Sequence, residues 1–146
     1  MLSTMERVLF LRSVDMFSAI AGEDLAAVAM AAEEVRFRAS EIVVEEGEPG
    51  EGLYVIVHGD VEVAVDGARR VAVRGAGSVI GEMAVLSGGP RLATCVALDE
   101  VLTLRLRRDD FQELLGERPA LALGVIAVLM QRLDEATRRL AETQRS

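Results

Sequence analysis

The sequence predicts an α+β fold in which an antiparallel, jelly-roll-like β-roll lies between N-terminal helices and a short plus a long C-terminal helix. Three observations predict it. Apolar residues recur at helical spacing over 1–34, short β segments separated by turn residues fill 35–107, and helical spacing returns over 108–142. With 146 residues, 51% of them hydrophobic, the chain is long enough to bury one core. We therefore expect 1–146 to form a single domain.

Two helices are expected in the N-terminal part. Ser3 and Glu6 have the spacing of a capping box, in which each side chain bonds the other residue's backbone amide, so the first helix should begin there. The second helix is expected from Gly22 to about Glu34. Ala21 stands where a Ser or Asp cap would be favoured, so this helix should begin without a side-chain cap.

The middle of the chain carries short apolar segments divided by turn residues. Segment 53–57 is apolar on both faces, as in a doubly buried strand, whereas 61–65 alternates as in a half-exposed strand. Asp66-Gly67 is a strong signal for a two-residue hairpin turn, after which the chain returns over 71–73. Short strands at this regular spacing predict a barrel or roll.

Two helices should complete the fold, a short one over 109–115 and a long one that begins near Pro119. The long helix has one apolar row that can pack on the roll, made of Leu121, Val125 and Val128. A second, heptad-like seam consists of Ile126, Leu129, Leu133, Ala136 and Leu140. Because the extra apolar face must be covered, we expect a homodimer through this helix. The alternative is a monomer in which both stripes fold back onto the roll.

Charge and residue usage argue against several functions. A net charge of −8 and a pI near 4.7 disfavour a nucleic-acid partner. One cysteine cannot form an internal disulfide, and one histidine with one cysteine makes a zinc site or a metal-dependent enzyme on a similar roll a poor hypothesis. The longest apolar run, 121–130, is too short to span a bilayer. We expect a cytoplasmic protein without membrane insertion, metal, cofactor or catalytic residues.

One stretch carries the chemistry of a site. Residues 81–94 read GEMAVLSGGPRLAT. The Glu82 carboxylate can accept hydrogen bonds from a sugar hydroxyl, while the first amides of a short helix and the Arg91 guanidinium can share one phosphate. A planar guanidinium binds two phosphate oxygens at once, which lysine cannot do. The stretch therefore suits a small phosphorylated sugar, although Arg91 alone could also be a surface arginine paired with an acid.

The same stretch closely resembles the phosphate-binding cassette of cyclic-nucleotide-binding domains, the family of bacterial catabolite activator proteins and protein kinase A regulatory subunits. Nearly every position of the family pattern G-E-[LIM]-A-[LV]-L-x-x-x-P-R-x-A-[TS] is filled. The family's order of helices, β-roll and two further helices matches from about Met5 to Leu140. Structural glycines of the family correspond to Gly47, Gly59, Gly77 and Gly81.

The resemblance implies roles for the motif. Glu82 should bind the ribose 2′-hydroxyl that a 3′,5′-cyclic phosphate leaves free, a role compatible with favourable placement at a helix N-terminus. Arg91 and the backbone amides of Ala84 and Leu92 should bind the phosphate. The ligand-binding residues expected from the motif are Gly81, Glu82, Met83, Ala84, Pro90, Arg91, Leu92 and Ala93.

Residues outside the motif should complete the pocket. By alignment with the family, Val63, Val71 and Val73 would form an apolar wall beside ribose and base, unless they are plain core residues. Arg132 and Thr137 lie on the final helix, near positions that cap the base in the bacterial activators. Both could instead be solvated helix positions.

The resemblance also bears on the base. Family members that favour cGMP often carry, directly after the cassette arginine, a threonine that meets the guanine amino group. Leu92 occupies that position here and cannot form this bond, which favours cAMP over cGMP. We therefore expect a cyclic-nucleotide-binding regulatory module that switches a fused or separate output element. The alternative is a binding-deficient β-roll used for dimerisation or docking. Loss of Arg91 or Glu82 would have supported that alternative, and both are present.

Overall fold

The computed structural model describes residues 1–66 and 69–145, except for the side chains of Arg69 and Met83. The helices in this part of the chain are α1 (Thr4–Arg12), α2 (Gly22–Ala31), α3 (Glu82–Ser87), α4 (Arg108–Glu117) and α5 (Pro119–Arg145), with a 3₁₀ turn at Asp15–Phe17. The strands are β1 (Glu33–Phe37), β2 (Ile42–Val44), β3 (Gly52–His58), β4 (Val61–Val65), β5 (Arg69–Arg74), β6 (Val79–Ile80), β7 (Thr94–Ala97) and β8 (Val101–Arg107).

The expected α+β fold is confirmed. The strands form two antiparallel sheets in the orders β1-β8-β3-β6 and β2-β7-β4-β5. The sheets pack together through a buried cluster that includes Ile56 from the first sheet and Val61 and Cys95 from the second. The opposite side of the first sheet packs against the helices, where Leu53 contacts the same core as Phe111. Strand β3 is thus covered on both faces, as its continuous apolar run predicted.

The N-terminal helices begin as predicted, but the second ends earlier. The Ser3 side chain and the Glu6 side chain form the expected capping box, and α2 begins without a side-chain cap. Helix α2 ends at Ala31 rather than near Glu34, because Glu33 already pairs with Arg105 in the ladder between β1 and β8. Strand pairing therefore overrides the helical spacing of these last residues.

The pairing of β4 determines which residues of β5 face the interior. Residues directly opposite each other on neighbouring antiparallel strands have side chains on the same face. The pairs that β4 makes with its two neighbours are Val61↔Arg74, Val63↔Ala72, Val61↔Ala97 and Val63↔Cys95. Because Val61 and Cys95 are buried, Ala72 and Arg74 lie on the interior face of β5. The predicted turn at Asp66-Gly67 falls partly outside the described residues, which do not include Gly67.

Helix α5 packs on the body of the domain through the predicted row, in which Leu121, Val125 and Val128 are buried. Leu129, which the sequence placed on the second seam, is half-buried and packs against the same core. The exposed large apolar side chains of α5 are instead Leu123, Ile126, Met130, Leu133 and Leu140. Across the described residues, no helix combines the length and hydropathy that crossing a membrane requires.

A single buried hydroxyl joins two strands of the first sheet and provides a test of the fold. Thr103 of β8 is fully buried and donates from Oγ1 to the carbonyl oxygen of Val35, at 2.8 Å. Thr103→Val keeps the shape but loses this hydrogen bond, so the free energy of unfolding should fall by about 0.5–1.5 kcal/mol. Thr137→Val, at an exposed hydroxyl, should change it by less than about 0.5 kcal/mol. Chemical denaturation measures both, and equal losses would contradict this reading.

Candidate functional site

The predicted motif folds into a short helix that begins at a left-handed glycine. Gly81 precedes α3 with φ +87°, a conformation that favours glycine. A Cβ atom at this position would lie 2.0 Å from Nη1 of Arg91. The backbone angle therefore favours glycine at position 81, and any side chain there would displace the Arg91 guanidinium.

The beginning of α3 presents backbone donors. Val85 and Gly88 donate to the carbonyl oxygens of Gly81 and Ala84, whereas the first amides of a helix have no acceptor within it. Gly81 has no side chain with which to cap them. The Leu92 amide, expected to share this role, likewise has no backbone acceptor among the described residues. The motif thus presents two groups of amides with no partner among the residues that the structure describes.

Arg91 is the buried cation of the site. Its residue surface is only 7% exposed, and its guanidinium donates to the carbonyl oxygens of Gly52 at 2.5 Å and Gly81 at 3.4 Å. No carboxylate lies within salt-bridge distance of it in the described part of the chain. Burial lowers the pKa of the Arg91 guanidinium, yet arginine stays protonated in proteins. A buried charge held only by neutral carbonyls favours an anionic partner.

The backbone around Arg91 is also held in place. Its amide donates to the carbonyl oxygen of Glu48 at 2.8 Å, and its carbonyl oxygen accepts from Gly47 at 2.9 Å. Gly50 of the same loop lies so close to α3 that a Cβ there would be 2.4 Å from the Cβ of Ala84. The loop between β2 and β3 therefore fixes both halves of the motif.

A cavity of about 320 Å³ opens between these donors and the second sheet. Its size is within the range of small-molecule sites. The structure brings together many of the predicted residues in its lining: Gly81, Glu82, Ala84, Arg91, Leu92, Ala93 and Val63. The lining combines polar groups of the motif with apolar side chains such as Val63 and Ile80. The cavity can hold a ligand with an anionic and an apolar end.

Glu82 connects the cavity to the final helix. Its side chain is 19% exposed, and its Oε1 lies 3.5 Å from Nη1 of Arg132 on α5. The other terminal nitrogen of Arg132 lies 3.5 Å from the Asp15 carboxylate in the 3₁₀ turn. Arg132, which the sequence placed near the base, therefore contacts the site through Glu82.

Other predicted residues are not brought to the cavity. Val71 and Val73 are about half exposed, at 52% and 46%, and lie on the opposite face of β5 from Ala72 and Arg74. They form neither a pocket wall nor core. Thr137 is exposed and donates to the carbonyl oxygen of Leu133 within α5. Pro90 is exposed and pairs with Pro49, outside the cavity lining, and the Met83 side chain lies outside what the structure describes.

Five cavity residues were not predicted from the sequence. The same cavity as the motif is also lined by Val44, Arg74, Val79, Ile80 and Cys95. Arg74 and Cys95 could have been found from the alternation of β4 and its neighbours, because both face Val61 or Val63 across a strand pair. Deciding which alternate residues of β5 face inward required the pairing register between β4 and β5. The apolar residues Val71 and Val73 suggested the wrong set.

A larger cleft lies on the other side of Arg91, with a volume of about 860 Å³. Its charged lining residues are Glu45, Glu48, Glu51, Asp109, Asp110, Arg91, Arg105, Arg107 and Arg108. Glu33 already binds two of these arginines, Arg105 at 2.7 Å and Arg107 at 2.9 Å. These bonds lower the pKa of Glu33. With five carboxylates in its wall, this cleft suits an anion less well than the cavity at α3.

A family comparison agrees with this geometry. The model of the family described as the cyclic nucleotide-binding domain matches residues 34–118. The chain belongs to the cyclic nucleotide-binding domain family. The matched segment includes the whole motif and both sheets, apart from the first residue of β1.

Individual relatives are similar over most of the chain. The cAMP-dependent protein kinase regulatory subunit of Emericella nidulans is 34% identical over 108 residues, 73% of this chain and 26% of that protein. The CRP-like cAMP-activated global transcriptional regulator of Mycobacterium tuberculosis is 28% identical over 130 residues, 86% of this chain and 58% of that protein. The chain thus spans only part of these curated relatives.

A solved structure confirms the similarity of the fold. The N-terminal domain of a transcriptional regulator from Streptomyces coelicolor superimposes with a TM-score of 0.77 at 34% sequence identity. The alignment covers 87% of this chain and 94% of that one. The cyclic nucleotide-binding domain fold is therefore shared over nearly all of both chains.

The buried thiol in the cavity gives a test of the site's environment. Burial raises the pKa of Cys95 from 9.0 to about 11, since a thiolate is disfavoured there. At pH 8 the thiolate fraction should be about a hundredfold lower in the folded than in the unfolded chain. Alkylation by iodoacetamide should slow by at least this factor, and the folded-state rate should rise with pH up to about 11. Equal rates with and without urea would contradict a buried Cys95.

Proposed function

We propose that this domain binds a cyclic nucleotide, cAMP in preference to cGMP, in the cavity beside α3. The observation that carries the proposal is the buried Arg91 guanidinium, which has carbonyl partners but no carboxylate among the described residues. The amides at the start of α3 lie next to it. Guanidinium and helix amides together offer a doubly charge-assisted site for one phosphate.

The rest of the cavity suits the remainder of the nucleotide. Glu82 is an acceptor-only carboxylate in the wall, beside the phosphate donors, where it can receive the ribose 2′-hydroxyl. Val63 and Ile80 supply an apolar surface for ribose and base. The lining thus offers the kinds of groups that phosphate, ribose and base require.

The preference for cAMP rests on Leu92. Its side chain is 66% exposed at the edge of the cavity and has no group that could bond the amino group of guanine. The descriptions of the fungal and mycobacterial relatives as cAMP-dependent and cAMP-activated support the same choice.

We further propose that the domain regulates an output element, fused or separate, without catalysing a reaction. Glu82 binds Arg132 of α5, and Arg132 also binds Asp15, so a ribose hydroxyl at Glu82 changes the contacts that hold α5. A ligand shifts such an equilibrium only by its different affinity for the two placements of the helix. A cytoplasmic location is part of this proposal, since the regulated process would then share a compartment with the nucleotide.

We also propose that α5 forms a homodimer seam. The exposed side chains Leu123, Ile126, Met130, Leu133 and Leu140 recur at intervals of three, four, three and seven residues. Apolar residues at heptad spacing can pack against the same residues of a second copy of the helix. A small domain rarely leaves such a stripe exposed to solvent. A binding-deficient roll that only dimerises would use the same stripe, so nucleotide binding must be measured separately.

Nucleotide titration of the Arg91 variants tests the proposed site. Wild type should bind cAMP more tightly than cGMP in a calorimetric titration. Arg91→Ala should weaken cAMP binding by about 2–5 kcal/mol, roughly 30-fold to several thousand-fold, because the phosphate loses its buried partner. Arg91→Lys should recover little of this, since bidentate geometry is lost.

Arg107→Ala is the matched control for this titration. Arg107 is an exposed arginine of the larger cleft, so its removal changes net charge equally and should leave affinity within about twofold. Thermal unfolding checks that each variant folds. Absence of binding by wild type at millimolar nucleotide would overturn the proposed function, and a loss below threefold in Arg91→Ala would place the phosphate elsewhere.

The dimer is tested by one substitution on the exposed stripe. Leu133→Glu should convert a dimer of twice 15.7 kDa into a monomer of 15.7 kDa in sedimentation equilibrium, because it buries a charge in the seam. Leu9→Glu, at a similarly exposed apolar residue of α1, should remain dimeric. Both variants should still bind cAMP. A wild type that sediments as a monomer at tens of micromolar would contradict the dimer.

A further inference from the structure

A second arginine lies against the helix of the motif, at the end opposite to Arg91. Arg108 is the first residue of α4, and its guanidinium lies beside Gly88, the residue that ends α3. A Cβ atom on Gly88, which has φ +76°, would be only 2.6 Å from Nη2 of Arg108. At the other end of the helix, a Cβ atom on Gly81 would be 2.0 Å from Nη1 of Arg91. The six residues of α3 therefore lie between two guanidinium groups.

The charge of Arg108 has no carboxylate partner. Within the part of the chain that the structure describes, its side chain makes no ion pair, and its Nε is buried without a hydrogen-bond partner. Its neighbour Arg107, by contrast, donates from Nε to the Glu33 carboxylate at 2.9 Å. The last carbonyl groups of a helix have no partner within it and give its C-terminal end a partial negative charge. The end of α3 therefore supplies negative charge beside Arg108.

One short segment of backbone holds both arginines. The backbone amide of Arg108 donates to the carbonyl oxygen of Glu51 at 2.8 Å. The next carbonyl oxygen along the chain, that of Gly52, accepts from Nη2 of Arg91 at 2.5 Å. These two adjacent carbonyl groups therefore link the start of α4 to the buried cation of the site.

The placement of α3 determines the geometry of the groups that would meet the ligand. Gly81, just before the helix, accepts from Nη1 of Arg91 at 3.4 Å, and Glu82 is the first helical residue. Val85, near the middle, is fully buried and fixes the helix in the core. Because six helical residues span only about 9 Å, a displacement of the Gly88 end also moves the other end. A contact at Gly88 therefore controls how the helix is oriented about its buried middle.

We propose that Arg108 is a positioning residue for the nucleotide, which holds the C-terminal end of α3 so that Glu82 and Arg91 meet ribose and phosphate together. The inference rests on the proposed function, which assigns ribose to Glu82 and phosphate to Arg91. Arg108 is not part of the cavity lining, so it acts through α3 and not by contact with the ligand.

Two properties distinguish this role from direct contact with the ligand. Because Arg108 acts on the groups that meet ribose and phosphate, it strengthens the binding of cAMP and cGMP by the same factor. Because the end of a helix interacts with a nearby charge and does not need a planar pair of donors, lysine can replace arginine at position 108. At Arg91, by contrast, lysine loses the bidentate geometry.

The first measurement is a calorimetric titration of wild type, Arg108→Met, Arg108→Lys and the control Arg107→Met with cAMP and with cGMP. Arg108→Met keeps an unbranched side chain without the charge, and it should weaken both nucleotides by about 3- to 30-fold, the upper part of the range for a charge at a helix terminus. Arg108→Lys should bind within about twofold of wild type. Arg107→Met removes an equal charge from the same cleft and should also stay within about twofold.

The second measurement is amide hydrogen exchange of the nucleotide-free protein. The amides of Val85 and Gly88 donate to the carbonyl oxygens of Gly81 and Ala84, so their exchange reports the opening of α3. In Arg108→Met these amides should exchange about 3- to 30-fold faster, whereas the amides of strand β3 keep their wild-type rates. Exchange in α3 should be close to wild type in Arg108→Lys and in Arg107→Met.

Several outcomes would overturn the inference. A loss below twofold in Arg108→Met, or a loss confined to one nucleotide, would contradict a positioning role. Faster exchange in β3 as well as in α3 would show a general loss of stability, and failure of Arg108→Lys to bind would exclude an interaction between charge and helix end. These results leave the proposed function intact, because wild type still binds.

The two measurements also separate this inference from the proposed function. If wild type binds neither nucleotide, the proposed function fails and the positioning role fails with it. The exchange measurement then still shows whether Arg108 holds α3, since it needs no ligand. Thermal unfolding with a midpoint near that of wild type confirms that each variant is folded.

Discussion

The site depends on how one buried guanidinium is held. Arg91 bonds the carbonyl oxygens of Gly52 at the start of β3 and of Gly81 before α3, while its own backbone bonds the loop between β2 and β3. These contacts join both sheets and the short helix around a single positive charge. The cost of burying that charge is offset only in part by carbonyl dipoles, so the site favours an anionic partner. Gly81 and Gly50 lie next to these groups, and a Cβ atom at either position would overlap the guanidinium or α3.

The sequence predicted the fold and much of the cavity lining around α3 well, for physical reasons. The capping box, the doubly apolar β3 and the row that includes Leu121 are local patterns that tertiary packing reinforces. The motif at 81–94 is contiguous, so its geometry follows from a short helix and a turn. The end of α2 was misplaced, because Glu33 enters a ladder with a strand about 70 residues away. Local spacing contains no information about such a partner.

The part of the cavity beside β5 was harder to predict. Val71 and Val73 are the apolar residues of β5, and hydrophobicity alone directs such residues inward. In the structure they are about half exposed on an edge strand, while Arg74 lines the cavity and the small Ala72 lies opposite Val63. The alternation was visible in the sequence, but which set of alternate residues faces inward depends on the cross-strand register. A shift of one residue in that register moves every side chain to the opposite face. The same limit applies to α5, where Leu129 packs inward and Met130 outward.

The chain of carboxylate, guanidinium and carboxylate from Glu82 through Arg132 to Asp15 has a consequence for any partner of this domain. Linkage is reciprocal: if ligand binding alters the free energy of one placement of α5, then whatever holds α5 alters ligand affinity by the same factor. A protein that bound this helix would therefore act as an effector of the cavity. The sensitivity of the domain to its nucleotide would be set by its assembly as much as by the pocket itself, and one pocket could serve different concentration ranges in different complexes.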